Sequence, residues 1–67
     1  MNIQINNEQR VVPEGSTVQE VVISLLQLNP SGMAIAINDS IVPRHLWESS
    51  QLQTNDRMLV IKAASGG

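Results

Sequence analysis

Only one segment of this 67-residue chain has apolar residues at helical spacing, and its other apolar segments are short and typical of strands. The helical spacing, i, i+3, i+4 and i+7, is that of Val18, Val21, Val22 and Leu25. Thr17 and Glu20, three positions apart, form a capping-box pair at the start of this segment. We therefore predict one helix, over about residues 18–28, ended by the helix-breaking residues 29–32.

The remaining apolar segments predict five strands. In the first, isoleucines alternate with polar residues, as in a strand with one buried face. The last is apolar at every position, which favours an interior strand contacted on both faces. The expected strands are residues 1–5, 9–12, 33–37, 41–42 and 58–61. Turns are expected at Asn6-Asn7, at 13–15, at 38–40 and at Asn55-Asp56, with a loop or single helical turn at 44–48 anchored by Trp47.

This order of elements requires the single helix to cover one face of a mixed sheet and leaves the other face open. The helix would serve as the crossover that makes the first strand parallel to the last, with both at the centre of the sheet. The predicted class is α+β, with the β-grasp, ubiquitin-like architecture. We expect one domain over residues 1–63 and a flexible C-terminal tail over 64–67.

Composition excludes several classes of function. Without cysteine, the chain has no thiol nucleophile and no thiolate metal site, and its single histidine, His45, has no second ligand beside it. A net charge of −2 with scattered basic residues argues against nucleic-acid binding. No apolar stretch is long enough for a membrane span, and no signal peptide precedes the first strand, so we expect a cytoplasmic protein. Paired carboxylates are also missing, so we expect no enzyme active site.

The chain ends in Ser65-Gly66-Gly67, which makes the carboxylate of Gly67 the candidate reactive group. Glycine has no Cβ, so a diglycine segment is slim enough to enter a narrow channel in a partner enzyme. The alternative is an ordinary frayed end, where small residues are tolerated without a purpose.

Four segments stand out together: the helix opening at 15–20, the segment 34–38, the segment Ile41-Val42-Pro43-Arg44 followed by Trp47, and the terminal diglycine. Together they resemble the ThiS family of thiamine-biosynthesis sulfur carriers. The resemblance spans nearly the whole chain, and its most specific part is Ile41-Val42-Pro43-Arg44 followed by Trp47. The family usually has Gly-Asp where this chain has Asn55-Asp56, and asparagine tolerates the same left-handed turn.

The resemblance implies a protein co-substrate rather than a catalyst. Gly67 would be adenylated by an E1-like, ThiF-type adenylyltransferase, converted to a thiocarboxylate, and used by a ThiG-type thiazole synthase. A cysteine desulfurase or another persulfide donor would supply the sulfur. ATP and Mg²⁺ would be used by the activating partner, and we expect no cofactor on this chain.

Adenylation requires a partner that also binds the folded body, because the tail offers too few atoms for much affinity. Lys62 is expected to face solvent, which would place every second residue before it on the open face and turn Leu59 and Ile61 towards the helix. The large residues of the middle strand suit the core, which leaves its alanines on the open face. The predicted docking residues are therefore Ala34, Ala36, Met58 and Val60.

Three alternatives stay open. A molybdopterin-synthase small subunit also ends in diglycine and is activated in the same way, although Val42-Pro43-Arg44 and Trp47 argue against it. A ubiquitin-like modifier would begin with the same chemistry and end in an amide with a lysine of its target. A plain interaction module would have an incidental diglycine.

Overall fold

The computed structural model describes residues 1–29 and 31–62. The strands are β1 (Asn2–Ile5), β2 (Glu8–Val11), β3 (Met33–Ile37), β4 (Ser40–Val42) and β5 (Arg57–Lys62). A short helix α1 (Val18–Glu20) continues directly into a π-helical segment, Val21–Leu25, and a 3₁₀ turn covers Arg44–Leu46. Residues 64–67 lie outside the described residues, so the division into a domain over 1–63 and a tail stays a prediction.

The strands form a five-stranded mixed sheet in the order β2-β1-β5-β3-β4. β1 pairs parallel with β5, and the other neighbouring pairs are antiparallel. The parallel pair lies at the centre of the sheet, as predicted, because the helix provides the crossover that a parallel connection requires. The α+β, β-grasp prediction is confirmed.

The predicted turns are also confirmed. Asn6 and Asn7 have φ of 50° and 69°, and Asn38 and Asp39 have φ of 50° and 73°. These are the positive φ values that two-residue hairpin turns require and that Asn and Asp tolerate better than most residues. Asn55 takes the same conformation with φ of 71°, so the departure from Gly-Asp keeps the turn before β5.

Two sets of hydrogen bonds hold the start of the helix: the capping box and bonds to the loop before β5. The Glu20 amide donates to the Thr17 hydroxyl at 3.2 Å, and the Thr17 amide donates to the Glu20 carboxylate at 3.3 Å, which completes the predicted capping box. The Val18 amide donates to the carbonyl of Ser50 at 2.9 Å, and the Gln19 amide to that of Trp47 at 3.2 Å. The loop before β5 therefore satisfies helix N–H groups that have no partner within the helix.

The end of the helix differs from the prediction, which continued it to Leu28. The Leu26 amide donates to the carbonyl of Val21 at 2.9 Å, an i→i−5 bond, and Gln27 has a left-handed φ of 53°. The run Val21-Val22-Ile23 is entirely β-branched, which lowers its helix propensity. The wider turn packs Leu26 and Leu28 against the core and leaves Leu25, predicted on the buried side, 41% exposed.

The core lies between the helix and one face of the sheet. Its buried members are Ile3, Ile5, Val12, Val18, Val21, Val22, Ile35, Trp47, Leu52 and Met58. Trp47, the only aromatic residue, is 1% exposed, and its indole N–H donates to the carbonyl of Val42 at 2.8 Å. The prediction that Trp47 anchors the loop over the core is confirmed.

Replacing Thr17 with Ala should lower the free energy of unfolding by about 1 kcal/mol, because the Glu20 amide loses its acceptor at the helix start. Urea denaturation followed by circular dichroism measures this change. Ser24→Ala, at an exposed position of the same helical segment, is the control and should not destabilise the protein. Equal effects of the two substitutions would contradict a stabilising role for the capping box.

Candidate functional site

The pairing register shows which side chains of β5 face the core. Residues directly opposite each other in an antiparallel pair lie on the same face of a sheet. Ile37 lies opposite Met58, and Ile35, which is fully buried, lies opposite Val60. Met58 is accordingly 2% exposed, and Val60 is half-buried against the core. The prediction that Met58 and Val60 are exposed together on the open face is wrong.

The position of Lys62 explains why the two faces of β5 were assigned the wrong way round. It lies opposite Met33 and therefore on the helix side of the sheet, although its side chain is exposed. At the last position of β5, a long lysine side chain reaches water even when its strand position belongs to the core face. A charge at the end of a strand is thus poor evidence for which face of the sheet is open.

The two alanines lie on the open face, as predicted, but they are not fully accessible. Ala34 pairs with Ile61, and Ala36 pairs with Leu59. Ala34 is half-buried, and Ala36 is 7% exposed because larger neighbours surround its small side chain. The expected exposure of Ala36 is therefore wrong, and Leu59 and Ile61, which were expected to face the helix, lie on this open face instead.

Together with Ile41, these two side chains form what we call the open-face patch, which consists of Ile41, Leu59 and Ile61 around Ala34 and Ala36. Ile41, Ala36 and Leu59 lie side by side across β4, β3 and β5. Ile41 is 61% exposed, Leu59 48% and Ile61 41%. A group of large aliphatic side chains left in water on an uncovered sheet face is a feature of contact surfaces.

Polar residues border the patch on the side of the hairpin turns. The Arg57 guanidinium donates to the Asp39 carboxylate at 3.1 Å, and both side chains are largely exposed. With Gln4, Asn6 and Asn7 they line a depression of about 400 Å³ that Ala36 also lines. An apolar centre with a polar border is the composition of a protein-binding surface.

The other residues singled out from the sequence lie away from this patch or outside the described part of the chain. Arg44 is exposed and lies over the Trp47 ring, 5.0 Å from its centroid, in a cation–π arrangement that fits the structural role expected for it. His45 is exposed, as expected. Ser65, Gly66 and Gly67 lie outside the described residues, and the reactive role of Gly67 stays a prediction.

The described residues contain no group of three or more histidine, cysteine or acidic side chains placed to hold a metal ion. Over the same residues, no helix is long and apolar enough to span a membrane. What the described structure offers is an exposed apolar patch on the strand that leads towards the diglycine segment.

Comparison with known proteins identifies the family. Residues 2–67 match the model of the ThiS family. The chain belongs to the ThiS family. Among individual proteins, it is 36% identical to the sulfur carrier protein ThiS of Escherichia coli (strain K12), over 100% of both chains. It is 30% identical to the protein ycf40 of Porphyra purpurea, over 100% of this chain and 93% of that one.

A solved structure supports the fold of this ThiS family member. The crystal structure of the thiamine biosynthesis protein ThiS from Geobacter metallireducens superposes with a TM-score of 0.84 and covers 100% of both chains. The sequence identity is 20%, so this likeness concerns the fold alone. The solution structure of a thiamine biosynthesis protein from the same organism gives a TM-score of 0.79, covering 100% of this chain and 88% of that one.

The face assignment predicts losses of stability of different size for two neighbouring substitutions. Met58→Ala should lower the free energy of unfolding by roughly 2–5 kcal/mol, because it leaves a cavity in the core. Leu59→Ala should cost less than about 1 kcal/mol, because the residue is half in water. Thermal and urea denaturation measure both. A larger loss for Leu59→Ala than for Met58→Ala would reverse the assignment of the two faces.

Proposed function

We propose that this protein is a cytoplasmic sulfur carrier for the synthesis of the thiazole moiety of thiamine, and that it acts as a protein co-substrate. The observation that carries the proposal is the ThiS family match over residues 2–67, which includes the diglycine. The full-length correspondence with a protein named as a sulfur carrier supports it.

In this proposal the reactive group is the α-carboxylate of Gly67. A carboxylate is a poor electrophile, so it first attacks the α-phosphate of ATP on an E1-like, ThiF-type partner, which uses Mg²⁺, and pyrophosphate leaves. The acyl-adenylate then has AMP as a good leaving group. A persulfide supplied by a cysteine desulfurase or another donor displaces AMP, and cleavage of the S–S bond by a second thiol leaves the thiocarboxylate.

The persulfide and the second thiol must both come from other molecules, since this chain has no cysteine. The thiocarboxylate is an anionic sulfur nucleophile. A ThiG-type thiazole synthase would incorporate its sulfur atom into the ring, and the Gly67 carboxylate would be regenerated. No described side chain has to donate or accept a proton in these steps. The role of the folded body is to be recognised and to deliver its C-terminal segment.

We further assign the recognition of the activating enzyme to the open-face patch. Leu59 and Ile61 of the patch lie on β5, the strand that leads into residues 63–67. Five extended residues span at most about 17 Å, so an enzyme that acts on Gly67 must approach within that distance of Lys62. A partner that binds the patch meets this condition, and burial of the large aliphatic side chains would supply affinity that the tail lacks.

The proposal predicts a defined covalent product. After incubation with ATP, the ThiF-type enzyme and a persulfide source, a thiol-alkylating reagent should add one alkyl group, located on Gly67 by fragmentation mass spectrometry. The native chain offers no competing thiol. Omission of ATP or deletion of Gly67 should abolish the product.

Other outcomes of that experiment separate the alternatives. An amide with a lysine of another protein, formed without alkylation, would favour a ubiquitin-like modifier. Absence of any acyl-adenylate with ThiF-type enzymes would reject the proposal. A thiocarboxylate that a thiazole synthase does not consume, but a molybdopterin precursor does, would favour the molybdopterin-synthase alternative.

A second prediction concerns docking. Leu59→Lys should raise the KM for this protein in the adenylation reaction about ten-fold or more, because a charge would enter an apolar contact, while the protein stays folded. Val11→Lys is the matched control: Val11 is 75% exposed and lies on the same sheet face, but on the edge strand β2. ATP–pyrophosphate exchange measures both variants.

Equal KM values for Leu59→Lys and the wild type would exclude the patch from docking. An equal rise for both variants would indicate a non-specific effect of added positive charge. Circular dichroism melting curves establish that each variant is folded at the assay temperature.

A further inference from the structure

One hydrogen bond connects the first hairpin turn to the end of the last strand. The Val60 amide donates to the side-chain Oδ1 of Asn6 at 2.8 Å, across 54 positions of sequence. Asn6 is the first residue after β1 and has a left-handed φ of 50°. The contact is therefore made by a turn residue and not by the strand.

This bond continues the parallel ladder between β1 and β5. The Gln4 amide donates to the carbonyl of Asp56 at 2.9 Å, and the Asn6 amide to that of Met58 at 3.0 Å. The paired register of the two strands covers only Gln4–Arg57 and Ile5–Met58. At Asn6 the chain turns into β2, so the next acceptor for β5 comes from a side chain.

Few residues suit this position. The turn requires a positive φ, which glycine, asparagine and aspartate adopt at low cost. The ladder requires an acceptor oxygen on a short side chain, which excludes glycine. Asn7, the next residue, has a similar φ of 69° and carries the same amide, but the bond to Val60 is made by Asn6 alone.

We propose that Asn6 is a positioning residue for the C-terminal segment: its Oδ1 extends the β1 side of the ladder to Val60, while β3 pairs with the other edge of β5 as far as Lys62. Val60 lies between the two β5 residues of the open-face patch, Leu59 and Ile61. The bond therefore restrains the backbone of the patch on the strand edge that β1 no longer reaches. This role rests on the proposed function, since it matters only if a partner acts on Gly67.

Two glycine substitutions in the same turn test this role. Asn6→Gly keeps the positive φ and removes the acceptor, whereas Asn7→Gly makes the matched change and leaves the acceptor in place. Asn6→Asp retains an acceptor oxygen and is the conservative rescue. Hydrogen exchange of the Val60 amide, measured by NMR, should be accelerated roughly two- to twelve-fold in Asn6→Gly, as expected from the loss of one hydrogen bond. It should stay near the wild-type rate in the other two variants.

ATP–pyrophosphate exchange with the ThiF-type enzyme gives the functional readout, at a temperature at which every variant is fully folded. We expect kcat/KM for Asn6→Gly to fall several-fold and Asn6→Asp to stay close to the wild type. Asn7 also lines the depression beside the patch, so Asn7→Gly measures the loss of a border side chain alone and should lower kcat/KM less than Asn6→Gly does. A merely structural role would lower the melting temperature of Asn6→Gly and leave kcat/KM of the folded protein unchanged.

The outcomes separate this inference from the function on which it rests. If the wild type is adenylated and Asn6→Gly is adenylated with the same kcat/KM, the positioning role is overturned and the sulfur-carrier proposal stands. Identical Val60 exchange in Asn6→Gly and Asn7→Gly also overturns the role. If the wild type forms no adenylate, the proposed function fails and the positioning role fails with it.

Discussion

The parallel pairing of β1 with β5 is the constraint on which the rest of this structure depends. Two parallel strands from opposite ends of a chain can meet only if the intervening segment crosses from one end of the sheet to the other. Here the crossover contains the capped helix, which covers one sheet face and supplies Val18, Val21 and Val22 to the core. The opposite face stays open, and β5 ends next to the residues that lead to the diglycine.

The two faces of β5 have different surroundings, because the helix covers only one face of the sheet. Met58 and Val60 pack towards the helix, while Leu59 and Ile61 point to the open face. Such a chain buries a modest core for its size, yet large aliphatic residues remain in water on β4 and β5. Burial in a partner's surface is the physical explanation that we favour for their retention.

Much of the fold could be predicted from the sequence because its signals are local. The Thr17–Glu20 capping box, the asparagine turns and the strand periodicities each report on a few neighbouring residues, and together they determine the topology. The change from α-helical to π-helical hydrogen bonding after Glu20 was harder to predict, because only the β-branched run at 21–23 indicates it. Pattern arguments count apolar positions, and they do not distinguish an α-helical turn from a π-helical one.

The candidate site was predicted less well, because the orientation of β5 depends on which strand lies opposite it. Four successive apolar residues, 58–61, contain no alternation, so Lys62 was the only local guide to the two faces. Its long side chain reaches water from the core face, so its exposure led to the wrong assignment of the two faces of β5. The opposite partner, the fully buried Ile35, decides the question, and it becomes known only with the register.

In our proposal, one partner binds the open-face patch on β5 and acts on the segment that follows the strand. Transferred cross-saturation NMR, from an unlabelled ThiF-type enzyme to this isotope-labelled protein, tests this contact most directly. We predict the strongest signal loss at Ala34, Ala36, Ile41, Leu59 and Ile61, and little at the exposed helix residues Ile23 and Leu25. Strong signal loss on the helix, with the open face unaffected, would contradict the account.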